Sequence, residues 1–211
     1  MFNKVKIYNL ALQALLLSRQ ITDANSDKSN EVAVFNQQWD VAFKTVLFDM
    51  DLDSTSSWAP LALLHDFTAD PPTEHHPWKY VYQYPDKCAF FRRIVSHNRQ
   101  PDDKFTHHPK KVTIWEGKKA IFAEKEHAFI EYIPIDFPLQ TLSPPGGMAI
   151  AMWLAYMSAP LIVGKGAKTL REAIKADYVI HKAMAQELDA RENFSFQTDE
   201  NMSEFVKVRL S

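Results

Sequence analysis

Hydrophobic positions recur at helical spacing at both ends of the chain and alternate in its middle. From Asn3 to Leu17, Ile7, Leu10, Ala11, Ala14 and Leu15 fall at three- and four-residue steps, widened by Leu12, Leu16 and Leu17. This is an amphipathic helix, with Asn3 placed to cap it. A polar break, Thr22 to Asn30, supplies caps for a second helix. That helix starts near Ser29 and carries Val32, Phe35, Trp39, Ala42, Phe43 and Val46 on one stripe. Two such helices cannot bury their faces alone. Gly147 to Glu192 is the later stretch suited to cover them: an apolar helix to Met157 or Val163, kinked at Pro160, then a long amphipathic helix from Thr169 to Arg191.

Between these ends the pattern changes. Trp58 to Phe67 reads as a short extended segment, and Asp70-Pro71-Pro72-Thr73 as a linker. Lys79 to Tyr84, Phe90 to Val95 and Phe129 to Ile133 read as strands, rich in aromatic and β-branched residues. Lys111–Trp115 and Lys119–Ala123 form a hairpin around Glu116-Gly117. The expected fold class is α+β, mainly an α-helical bundle with a small inserted antiparallel β lobe. Residues 1–70 and 135–192 form the bundle, 71–134 the lobe and 193–211 a C-terminal tail. In that tail Val206, Val208 and Leu210 alternate with basic residues, as a strand would.

The totals narrow the function. The 211 residues suffice for one sizeable core, and 46% hydrophobic with 24% charged is ordinary for a soluble globular protein. A formal charge of −2 argues against a general nucleic-acid binder. One cysteine, Cys88, excludes an intrachain disulfide and fits a reducing compartment. Five glycines weigh against folds built on Gly-rich phosphate loops. Gly147 to Val163 is too short and too broken for a membrane span.

The chemical motifs have simpler readings. Val46-Leu47-Phe48-Asp49-Met50-Asp51 resembles the Asp-x-Asp start of a haloacid-dehalogenase-type phosphatase, in which Asp49 would be nucleophile and Asp51 acid and base, with magnesium. Asp53 stands where Thr is wanted, and the preceding residues have a helical period. The same acids begin a calcium-loop pattern that fails at Ser54 and Pro60. Adjacent histidines, His75-His76 and His107-His108, point to opposite faces of a strand and make poor metal pairs. Gly164-Lys165-Gly166 lacks the phosphate-loop spacing. Arg92-Arg93 with Lys87, and Lys110-Lys111 with Lys118-Lys119, are basic clusters on an expected sheet face. No catalytic constellation emerges, and no cofactor or metal is expected.

Three stretches in order resemble the head–tail adaptor (connector) proteins of tailed bacteriophages, the group of tail tubular protein A, or gatekeeper proteins. The first is Tyr8 to Leu15, followed by Phe35 to Leu47, with an aromatic residue and then Asp40-x-x-x-x-x-Val46-Leu47. The second is Trp78 to Ile94, an aromatic strand followed by Pro85-Asp86-Lys87-Cys88 and then Arg92; Tyr84 replaces a Leu, and Ala89-Phe90 lengthen the run. The third is Glu131-Tyr132-Ile133-Pro134, Phe137-Pro138 and the helix Met148 to Ala159. The resemblance implies a structural virion protein at the head–tail junction, made in the host cytoplasm. It implies a homo-oligomeric ring, a dodecamer in the family, docked under the portal protein. Such a ring receives the tail nozzle or next neck protein and lets genomic DNA pass without specific binding. It implies no enzyme activity. The interface residues expected on this reading are Tyr80, Tyr82, Tyr84, Arg92 and Arg93 in the lobe and Phe205, Val206 and Val208 in the tail. A phosphatase using Asp49 and Asp51, or a binding module without a phage role, are the alternatives.

Overall fold

The computed structural model describes residues 1–68, 78–95 and 110–192. Helix α1 spans Lys4–Ala14 and α2 Asn30–Met50. Asn3 accepts the Lys6 N–H at 2.8 Å, and Ser29 accepts the Val32 N–H at 3.4 Å, so each polar residue before a hydrophobic stripe caps it. α1 stops three residues short of Leu17, because Leu16 takes a left-handed conformation with φ 61°. Asn9 then holds the returning loop, bonding both the N–H and the carbonyl of Ile21 at 2.7 and 2.8 Å.

Helix α3, Pro144–Ile162, lies at the centre of the helical core and packs against α1, α2 and α4, the last spanning Ala167–Glu192. Pro144 and Pro145 sit in the first turn of α3, where no N–H partner is lost. Pro160 is accommodated inside the last turn, and the helix runs on to Ile162. The core joins Ile7, Tyr8, Phe35, Leu47, Ile150, Leu154, Ile174 and Tyr178. Gly147 is needed at one crossing, since a Cβ there would lie 2.4 Å from the Phe2 ring. α3 is the one described helix long and apolar enough to cross a membrane, yet 56% of its apolar window is buried within the protein.

Between α2 and α3 the described residues form seven strands in two antiparallel sheets. β1 is Ser57–Pro60, β2 Leu63–Asp66, β3 Tyr80–Gln83, β4 Cys88–Val95, β5 Lys110–Trp115, β6 Lys118–Ala123 and β7 Phe129–Pro134. Their orders are β1-β7-β4 and β2-β3-β6-β5. The two sheets close on a shared core of Tyr80, Tyr82, Ile94, Ile121 and Ile130. Only Leu61 and Ala62 separate β1 from β2. The Leu61 N–H bonds the Ala128 carbonyl, and the Ala62 carbonyl accepts the Gln83 N–H. β1 and β2 are therefore one bent run, half in each sheet. The β5–β6 turn is Glu116-Gly117 with both φ positive, 49° and 77°, a primed turn that suits a twisted hairpin.

The expectation of a mainly helical bundle with a small lobe is overturned by these seven strands in two sheets. The α+β designation holds, but the β part is a two-layer body with its own cores. Its size was underread because Ser57 to Asp66, expected as a short extended segment within the helical part, is instead recruited into both sheets, by β7 and by β3. Such recruitment is tertiary and leaves little local signature.

Candidate functional site

The acid-rich run after α2 lies where the helices and the sheets meet. Val46 to Met50 is helix, and Asp51 closes it in a left-handed cap with φ 49°. Each acid is taken up by the fold. Asp49 accepts from Tyr178 Oη and, at 2.7 Å, from Lys182 Nζ. Gln186 donates to the Met50 carbonyl at 2.9 Å. Asp189, buried, accepts the N–H groups of Asp53 and Ser54 at 2.7 and 3.0 Å. These four partners fall on one flank of α4, spaced four, four and three residues apart, as a helix requires to present them together.

Arg92 grips the same run from the sheet side. Its Nη2 lies 2.7 Å from Asp51 Oδ1 and donates to the Leu52 carbonyl at 2.7 Å. Its Nη1 donates to Ser56 Oγ and lies 3.3 Å from both Asp53 and Glu131. Glu131 also accepts from Arg93 Nε, and at 2.8 Å from Ser56 Oγ. Glu131 is only 2% exposed, a carboxylate held inside by two guanidinium groups and a hydroxyl. The result is an ionic joint fixing α2, α4, β4 and β7.

Burial opposes ionisation of Asp49, but hydrogen bonds from Lys182 and Tyr178 outweigh it and hold the carboxyl below its usual value. Burial and the neighbouring Asp49 push the Tyr178 hydroxyl upward. A depressed carboxyl contributes stability above its unfolded pKa, near 4, and loses it as pH falls through the lower folded value. Asp49 is more than a third exposed, so solvent screening reduces the expected cost of Asp49→Asn at neutral pH to about 0.2–1 kcal/mol. In thermal melts the gap from the native chain should begin to narrow near pH 4 and close only as pH falls through the lower folded value.

The interface residues expected from sequence are distributed as follows. Tyr80 and Tyr82 are buried between the sheets, with Tyr82 Oη donating to the Lys125 carbonyl at 2.5 Å. Tyr84 is half-buried, accepting from the Cys88 thiol at 3.3 Å under the Lys119 ammonium, 3.6 Å from its ring centre. Arg92 and Arg93 belong to the joint. Phe205, Val206 and Val208 lie outside the described residues, as do His75, His76, His97, His107 and His108. Burial raises the Cys88 thiol above its ordinary pKa, the reverse of what a nucleophile requires. Among the described residues no group of three or more His, Cys, Asp or Glu is arranged to hold a metal ion.

Two exposed surfaces escaped the sequence reading. On α4, Ala176, Ile180, Ala183 and Met184 form a second apolar stripe, opposite the one buried by Ile174, Tyr178 and Ala185. Its signal is a second set of three- and four-residue steps on a helix already counted as amphipathic. On the sheets, β5 is an edge strand, paired with β6 alone among the described residues. Its Val112 and Ile114 are 39% and 66% exposed. No protein-family model matches the chain, and a search of curated proteins finds no match either.

Proposed function

We propose that this chain is a head–tail adaptor of a tailed bacteriophage, a structural subunit that assembles into a ring beneath the portal, extends the DNA channel and receives the tail. The order of the three resembling stretches motivates this reading. The observation that carries it is the doubly apolar α4. A helix that buries one apolar face within its own subunit and presents Ile180 and Met184 on the other is suited to a neighbouring subunit. The ionic joint supports the same reading, because a subunit wedged between neighbours benefits from a fixed angle between its helical and β bodies. In a ring each subunit offers two different surfaces to its neighbours, so contact residues need not form one patch. A net charge of −2 suits a channel through which DNA slides without fixed phosphate contacts.

The test is native mass spectrometry of the purified chain, alone and mixed with candidate portal rings. A complex carrying a full ring of added subunits is the expected result. Ile180→Lys with Met184→Lys should abolish that complex while leaving the monomer folded, since both side chains are exposed. A persistent monomer that joins no portal ring would sink the reading.

A further inference from the structure

The β5 edge carries a more specific message than exposure alone. Its register places Lys110 opposite Ala123, Val112 opposite Ile121 and Ile114 opposite Lys119. Cross-strand partners share a face, and Ile121 and Ala123 line the core between the sheets. Val112 and Ile114 therefore point to the inner side of the sheet, yet are exposed because, among the described residues, no strand lies beyond β5. The other sheet ends on that core's margin at β4, and β4 and β5 are not paired with each other. Lys110 reaches across from β5, donating to the Arg92 carbonyl with its ammonium 3.8 Å from the Phe91 ring centre.

The second observation is charge. The hairpin Lys110 to Lys119 holds four lysines against one glutamate, Glu116. Among the described residues none of the four lysines lies within ion-pair distance of a carboxylate. Lysines on an edge strand repel a second copy of the same edge. They equally repel the chain's own strand-patterned segment Phe205–Leu210, which carries Lys207 and Arg209. An acidic strand meets no such repulsion.

We infer that β5 is a docking edge for an extended segment of another protein in which apolar and acidic residues alternate. The segment adds a strand to the β2-β3-β6-β5 sheet by main-chain hydrogen bonds. Its apolar side chains cover Val112 and Ile114 on the inner side, and its acidic ones meet Lys111 and Lys118, the two hairpin lysines that the register places on the outward face. The inward apolar pair favours a peptide over a nucleic acid, which would use the lysines and leave Val112 and Ile114 uncovered. This inference stands apart from the ring and does not require it.

The experiment measures binding of short synthetic peptides to the full chain by fluorescence anisotropy, with amide hydrogen exchange mapping the site. One peptide alternates valine and glutamate, the second valine and lysine, and the third scrambles the first. The valine–glutamate peptide is expected to bind and to slow exchange of the outward amides between Val112 and Trp115. Lys111→Glu with Lys118→Glu should weaken it by roughly tenfold and favour the lysine peptide instead. Ile114→Lys, at an exposed position that leaves the fold intact, should weaken all binding at the edge. Equal binding of the acidic, basic and scrambled peptides would overturn the proposal. So would equal protection of the same amides by duplex DNA, or protection already complete in the chain alone, which would mean that its own tail or a second copy fills the edge.

Discussion

Glu131→Ala is expected to cost about 3–5 kcal/mol of folding stability, because it removes the buried carboxylate shared by Arg92 and Arg93 and leaves the buried Arg92 only the solvent-exposed Asp51 and Asp53 to pair with. The Arg92 side chain is only 12% exposed, so its charge cannot simply turn to water. For a protein of this size that loss corresponds to a melting temperature lower by roughly 6–20 °C. Glu131→Gln should lie between, since an amide still accepts a hydrogen bond but brings no charge. If calorimetry places Glu131→Ala within about 1 kcal/mol of the native chain, the joint contributes no more than a surface ion pair.

Asp189→Ala is the second large effect. The carboxylate of Asp189 receives two backbone N–H groups, from Asp53 and Ser54, more than a hundred residues away in sequence. Its removal deprives two backbone donors on exposed residues of a charged acceptor, at about 1 kcal/mol for each, since water can replace part of the bond. The loss should be local as well as global. Hydrogen exchange at Asp53 and Ser54 should accelerate in Asp189→Ala far more than at Ile150 or Leu154 in the core. Uniform acceleration across the chain would show instead that Asp189 supports only overall stability.

Much of the helical half was legible in the sequence. The stripes at Ile7–Leu15 and Val32–Val46 and the polar residues before them, Asn3 and Ser29, state both the elements and their caps. The Glu116-Gly117 hairpin was legible for the same reason, that its turn chemistry is local. The joint was not. Arg92, Arg93 and Glu131 read as ordinary charges on exposed strands, because what buries them is the meeting of β4, β7 and the turn after α2. Asp49, Asp51 and Asp53 showed a motif by spacing, and only their partners on α4 and β4 reveal their structural employment. Tyr80 and Tyr82 show the same limit, since alternation marks a strand but not which face the second sheet will cover.

The position of α3 has a consequence for how the protein is made. α1 and α2 both lay their apolar faces on this helix, yet Pro144 follows Met50 by 94 residues. At about 5–20 residues per second, a ribosome leaves those faces without their partner for roughly 5–20 seconds. Strands β1 to β7 emerge within that interval and carry their own core, so the β body can close first. The amino-terminal helices meanwhile wait as bare hydrophobic surface, a natural client for the chaperones that attend nascent chains.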